Sequence, residues 1–407
     1  MIDVDGPGAD RLPTTVEAFR QGVAAGWHHG GQIFVWRRGE TIADLGLGRK
    51  RRDEALRRDA QMIWLSATKP VGAVAIAQLW ERGLLELDDP VARHLPEFGA
   101  RGKESITLRH VLTHTGGFRL LNLPWPAASW DEVLERICSA RPEPRWVPGQ
   151  KAGYHMQASW FVLGEVVRRI DGRPFERYVR DEVFEPLGMD DCWIGMPVEV
   201  YRSDPHRVAP IYDTEASSSA GDDAGEITAS GFEPGWRPFP WNREDRVTGV
   251  NPGANGVGPM AQLGRFYRML LGRGVLDGRR VLLPQTVEAL TAPHRVGMYD
   301  HTFKAPLDWG LGLIVNSEHY FTCPEDAGDP DSKGNTGGAR MPYGYGRLAS
   351  RRTFGHSGRR TSTAFADPEH DLVVAIALNG SPGDEQHRAR TQALTEGVYR
   401  DLGLGET

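Results

Sequence analysis

Trp64-Leu65-Ser66-Ala67-Thr68-Lys69-Pro70 opens a run in which Val71, Val74, Ala75, Gln78 and Leu79 are spaced for a single helix that Gly83 can stop. The small residues in this run suit close packing. A serine and a lysine three apart share one helix face, so hydroxyl and amine come within hydrogen-bonding reach. A serine hydroxyl becomes a nucleophile only when a neighbouring base takes its proton. A lysine with an ordinary pKa of about 10.4 does that at neutral pH only if burial or a nearby cation has stripped its charge. In the first turn the serine's own backbone N–H is free to hold an oxyanion, and Pro70 is tolerated there. Taken alone, the pair also reads as a capping serine followed by a surface lysine.

Lysine is scarce in this chain: six of the 48 basic residues, at positions 50, 69, 103, 151, 304 and 333, the rest being arginine. Arginine keeps its proton inside proteins, whereas lysine can give it up. Each lysine is therefore a candidate for chemistry, and Lys69 is the one with a serine on its face.

Outward from this helix, Thr14 to Ala25 has helical spacing, and Gln32 to Trp36 and Thr41 to Leu45 read as strands around Arg38-Gly39. Helices are expected at Leu108 to Leu112, Trp130 to Ala140, Ala158 to Ile170, Phe175 to Val183 and Met260 to Leu271. Near the end, Trp309 to Val315, Thr353 to His356, Thr361 to Asp367 and Leu372 to Leu378 read as strands and Gln386 to Leu402 as a helix. The fold class is α/β of the α+β kind: an antiparallel sheet made from both terminal segments, flanked by helices and carrying a large, mostly helical insertion. Residues 7–403 form one unit, with 7–62 plus 300–403 as the sheet part, 63–299 as the helical part and a cleft between them. Tyr201 to Gly256 and Ser317 to Arg352 are long Gly/Pro/Asp-rich loops, read either as lids over that cleft or as disordered.

Two more segments bear on the chemistry. Gly149-Gln150-Lys151-Ala152-Gly153-Tyr154-His155-Met156 ends a loop in a tyrosine, and Thr353-Phe354-Gly355-His356-Ser357-Gly358 ends a strand in His-x-Gly. Ser66 with Lys69, then Tyr154, then His356 to Gly358, in this order and spacing, resembles the serine beta-lactamase and penicillin-binding protein superfamily, nearest its class C and esterase branch. The similarity spans nearly the whole chain, with support from Leu85 to Val91, Ile106 to Gly117 and Phe184 to Met189.

The resemblance implies roles. Ser66 would be the acylated nucleophile, Lys69 its base, Tyr154 the phenol that exchanges protons with Ser66 and the leaving group, and His356 the stand-in for the lysine of the family's Lys-Thr-Gly. Gly358 would let the strand edge approach substrate, and the backbone N–H groups of Ser66 and Arg359 would form the oxyanion site. Met156 stands where the family has the asparagine of Tyr-x-Asn, and a thioether cannot donate to a lactam side-chain amide. With His356 in place of lysine, this argues for ester or acyl-transfer chemistry over beta-lactam hydrolysis. Tyr154 as a core tyrosine and His356 as a satisfied strand histidine are the plainer alternatives. Trp64, Trp125, Trp130, Trp236, Phe239 and Trp241 are candidates for an apolar acyl pocket, of which Trp64 and Trp236 are taken as substrate-binding.

A net charge of -6 and no basic block with interleaved aromatics argue against nucleic acid. Met1 to Asp10 has no basic start and apolar run, and no stretch is long enough to span a bilayer, so a cytoplasmic protein with no membrane partner is expected. Cys138, Cys192 and Cys323 are dispersed and read as reduced. His110 and His114 imitate half of a zinc helix, but Val111 stands where glutamate is needed, so no metal and no cofactor are expected. The expected partners are a small-molecule acyl donor and, for transfer, an acceptor; the sequence does not specify an oligomeric state.

Overall fold

The computed structural model describes residues 2–215, 237–316 and 344–404. Strands Gly30–Arg37 and Glu40–Arg51 form a hairpin, turning at Arg38 and Gly39 with positive φ of 47° and 87°. Two positive φ in succession give the turn that matches strand twist. Leu372–Leu378 then pairs antiparallel with Gly30–Arg37, Val374 opposite Val35, which joins the two ends of the chain in one sheet. From edge to edge the described strands run Val4–Asp5, Glu40–Arg51, Gly30–Arg37, Leu372–Leu378, Ser362–Asp367, Phe354–Gly358 and Ile314–Val315, each antiparallel to its neighbour.

Period-two alternation divides the sheet's side chains between two cores. Ile33, Val35, Phe365, Val374 and Ile376 face one side, where helices Pro13–Ala24 and Asp384–Asp401 cover them with Val16, Phe19, Leu394 and Val398. Fully burying such side chains contributes roughly 1.5–3 kcal/mol each. Asp401 ties the two helices together, accepting from the N–H groups of Thr14 and Thr15 (both 2.9 Å) and from Thr15 Oγ1 (2.8 Å). Its carboxylate meets the positive end of the first helix dipole.

On the other face Phe34, Ala364, Ala366, Val373, Ala375 and Ala377 meet helix Met260–Leu271. The alanines let that helix come close, and Gly264 is obligatory because a Cβ there would lie 2.3 Å from the Phe34 ring. Above it runs Lys69–Glu81, buried at every position from Lys69 to Leu79. A helix buried all round is a core helix, and its small and aliphatic residues follow from that.

The expected α+β architecture is the observed one, with shifts of detail. The helix expected from Ser66 begins as a tight turn, Ser66–Thr68, before Lys69–Glu81. Of Trp309 to Val315 only Ile314–Val315 is strand, because the chain doubles back through Gly312 (φ 77°) and Trp309 bridges Ile314. Phe175–Val179 is helical but widens into a looser turn over Arg180–Phe184. The loop from Tyr201 holds short elements, among them Tyr212–Asp213 and Glu244–Thr248, while 216–236 and 317–343 lie outside the described residues. Among the described residues no helix is long and apolar enough to cross a membrane.

Candidate active site

The site begins with a strained residue. Strand Met62–Leu65 ends at Leu65, whose φ of 50° and ψ of -133° are costly for a branched side chain. Thr68 Oγ1 donates to Leu65 O (2.6 Å) and accepts from Gly256 N–H (2.8 Å), while Ser362 Oγ donates to Trp64 O (2.7 Å). These bonds hold the turn and present Ser66 at the head of the helix, half-exposed, with its N–H unused by the helix.

Lys69 lies below it with no solvent exposure. Its Nζ is 3.1 Å from Ser66 Oγ, 2.9 Å from Met156 O and 2.7 Å from Gly253 O. Burial pushes its pKa well below the ordinary lysine value. A neutral amine has two N–H donors and one lone pair. With the two carbonyls as acceptors, the neutral form would have its lone pair left for the serine hydroxyl, which is the arrangement a base requires.

Tyr154 packs close by, its ring centroid 5.0 Å from Lys69 Nζ. Behind it lies a buried layer of His114, His155 and His356, with the His114 and His356 rings 4.8 and 6.0 Å from that of Tyr154. Phe118 N–H donates to His155 Nε2, so the His155 proton sits on Nδ1 and is given to His114 Nδ1 at 3.3 Å. His356 directs Nδ1 at Ser357 O, 2.8 Å away. Burial lowers the His356 pKa to about 3 and likewise takes His155 to about 3. These rings are neutral at physiological pH.

A cavity of about 490 Å³ opens over Ser66, lined by Leu65, Tyr154, Met156, Trp241, Phe303, Ser357 and Arg359 among others. His356 is absent from that wall; strand alternation sets it opposite Ala364 on the Met260–Leu271 side of the sheet, while Ser357 lies opposite Thr363 and donates to its Oγ1 (3.0 Å). Gly358 lies against the turn that carries Ser66, where a Cβ would be 2.2 Å from Trp64 O and 3.0 Å from Leu65 Cβ. Arg359, second residue of a turn closed by Thr361 N–H to Gly358 O (3.3 Å), lines the same cavity as Ser66.

A family model described as beta-lactamase matches residues 16–398. The chain belongs to that family. Its members' serine-hydrolase class is thereby its own. It is 28% identical to esterase/beta-lactamase LipL of Mycobacterium tuberculosis, covering 92% of this chain and 83% of that protein. It is 29% identical to esterase EstB of Burkholderia gladioli, covering 84% and 86%. Among solved structures, a penicillin-binding protein homologue from Caulobacter crescentus aligns with a TM-score of 0.77 at 29% identity over 98% of this chain and 100% of that one. A family VIII carboxylesterase aligns with a TM-score of 0.75 at 25% identity, covering 98% and 100%.

In this beta-lactamase-family chain several residues shape the site without having been legible as site residues. Asp300 is the most connected. Its Oδ1 accepts from the N–H groups of Tyr154 (3.1 Å), Thr302 (2.9 Å) and Phe303 (3.0 Å), and its Oδ2 pairs with Arg295 at 3.0 Å, both side chains buried. Thr302 Oγ1 returns a bond to Tyr154 O (3.1 Å). Asp300 thus fixes Tyr154 and the adjacent cavity wall as one piece. Gly253 sits in a loop braced by Asn251 and Asn255, whose side chains accept from Gly253 N–H (3.1 Å) and Asn251 N–H (3.0 Å). The Asn-Pro-Gly-Ala-Asn pattern at 251–255 is a visible turn signal.

The aromatic candidates separate. Trp64 has no exposed surface and gives its indole N–H to Gly258 O (2.9 Å), so it packs in the core and does not line the cavity, contrary to the sequence expectation. Trp236 lies outside the described residues. Trp241 is on the cavity wall, Phe239 lies 6.0 Å below the Arg359 guanidinium, and Trp125 and Trp130 line a different cleft of about 450 Å³. Met156 contributes twice, its carbonyl to Lys69 and its exposed thioether to the cavity. His110 has a structural duty: its Nδ1 accepts from Thr107 N–H (3.2 Å) at the start of helix Leu108–Leu112.

Proposed function

We propose that the chain is a serine esterase that acts on a small-molecule ester or activated acyl group through an acyl-enzyme at Ser66. The observation that carries this reading is the placement of Lys69: fully buried, with its pKa lowered by that burial, its Nζ donates to Met156 O and Gly253 O and lies 3.1 Å from Ser66 Oγ. Lys69 takes the hydroxyl proton as Oγ attacks the acyl carbon. The resulting oxyanion rests on the N–H groups of Ser66 and Arg359. Lys69 returns the proton through the Tyr154 phenol to the departing alkoxide, and the ester bond breaks. Water, activated by the same pair, then attacks the acyl carbon and releases the acid from Ser66.

The apolar part of the cavity, with Met156, Trp241 and Phe303, favours a hydrophobic acyl or alcohol group. No side-chain amide stands at position 156, which supports ester over lactam substrates. The test is turnover of p-nitrophenyl esters against a chromogenic cephalosporin, with graded amine and alcohol acceptors. Ester hydrolysis with slow or absent lactam cleavage is expected. Acceptor-dependent product with hydrolysis suppressed would replace the esterase reading by acyl transfer.

A further inference from the structure

We infer that Arg390 is a positioning residue for the oxyanion site, acting through two peptide groups in series. Arg390 projects from helix Asp384–Asp401 and is 1% exposed. Among the described residues no carboxylate pairs with it, and burial lowers its pKa from the ordinary arginine value, but a guanidinium keeps its proton inside a protein. Its Nη1 donates to Trp27 O (2.7 Å) and lies 3.4 Å from His28 Nδ1, and its Nη2 donates to Arg360 O (2.6 Å) and Gly380 O (2.7 Å).

A buried cation without a counter-charge is a costly way to satisfy three carbonyls, since apolar packing or a neutral donor serves stability as well. Its placement offers a different benefit. The Arg360 carbonyl that receives Nη2 shares a peptide group with the N–H of Thr361, which donates to Gly358 O at 3.3 Å. The Gly358 carbonyl in turn shares a peptide group with the N–H of Arg359, on the cavity wall beside Ser66. The order is guanidinium, peptide, peptide, oxyanion. Each hydrogen bond in such a chain polarises the next, so the charge of Arg390 makes the Arg359 N–H a stronger donor without approaching substrate. The side chain of Arg360 is held aside by Glu215 (2.8 Å) and Asp384 (2.6 Å), which keeps the turn in register.

This inference rests on the acyl-enzyme reading, and the experiment separates the two. A slowly released ester labelled with ¹³C at its carbonyl is used to acylate wild type, R390Q and R390K, and the carbonyl stretch is read by isotope-edited infrared spectroscopy. R390Q keeps a neutral donor and removes the charge. Its band is expected at higher frequency than the wild-type band, with kcat lowered by at most about twofold and KM unchanged. That is the share expected if each bond strengthens the next by roughly 10–30%, which compounds over two links to roughly 1–9% of a donor worth about 10²–10³ in rate. R390K is expected to restore the wild-type band at pH 7. If R390Q does not fold, R390K is titrated to pH 11, because a buried lysine can lose its proton; the band should then rise in R390K and stay in place in wild type. A band unchanged in folded R390Q, or fixed throughout the R390K titration, overturns the role of Arg390. Absence of any adduct at Ser66 would instead remove the esterase reading beneath it.

Discussion

Replacing Asp300 tests whether Tyr154 is held by the buried pair beneath it. Asp300→Asn keeps an oxygen for the N–H groups of Tyr154, Thr302 and Phe303 but sets a neutral amide against the buried Arg295 guanidinium. Breaking a buried pair by removing one charge costs about 3–5 kcal/mol. Asp300→Ala goes further and leaves those three N–H groups without an acceptor at about 1–3 kcal/mol each. The alanine total, about 6–14 kcal/mol, is comparable to the whole stability of a typical protein at about 5–15 kcal/mol, so Asp300→Ala should not accumulate as folded protein. Urea unfolding of Asp300→Asn should show the smaller loss, and p-nitrophenyl ester hydrolysis should fall at least tenfold, a change of about 1.4 kcal/mol in barrier, as Tyr154 loosens. Adding Arg295→Met to Asp300→Asn should recover part of the stability by removing the stranded charge. An Asp300→Asn protein with unaltered unfolding free energy and unaltered kcat would refute the argument.

Gly358→Ala should lower kcat by about 10²-fold or more, the cost of one misplaced oxyanion donor, because its Cβ would meet Trp64 O at 2.2 Å and force the strand off the nucleophile turn; steady-state kinetics beside a thermal melt checks this. His155 and His356 have folded pKa values of about 3, below the usual value near 6.5, so the unfolded chain binds more protons between those limits. Stability should therefore be intact above pH 6.5 and fall on acidification toward pH 3, at about 1.4 kcal/mol per pH unit for each histidine. A pH series of urea unfolding curves on His356→Gln should show that slope reduced by one histidine's share. Tyr154→Phe should lose about 10²–10⁴ in kcat, the range for a proton-transfer group, with little change in melting temperature because the ring contacts survive; activity within threefold of wild type would mean the phenol carries no proton.

The chain's sheet and its serine-lysine pair were legible because both are written in short-range spacing. Leu372 to Leu378 is an unbroken apolar run, and Ser66 with Lys69 is a three-residue interval. The neighbours that complete the site were not, because they act through the backbone across long stretches of sequence. Lys69 reaches the carbonyl of Gly253, and Tyr154 is held by the carboxylate of Asp300; no spacing rule links such pairs. Trp64 was misread for a related reason. As a large aromatic it is a candidate for the acyl pocket, but Gly256 and Gly258 of the neighbouring strand leave room for its ring in the core. His356 was legible as a motif residue, whereas its burial behind Tyr154 depends on which face of the strand the fold turns inward.

The central claim is that Ser66 becomes acylated because Lys69 is neutral beside it. Intact-mass and peptide mapping after brief exposure to a fluorophosphonate, at a series of pH values in wild type and in Lys69→Ala, tests it most directly. One adduct per chain on the peptide carrying Ser66 is expected, forming faster as pH rises through the lowered pKa of Lys69 and at least about 10³-fold more slowly in Lys69→Ala. An adduct on another residue, or equal labelling of Ser66 with and without Lys69, would contradict the account.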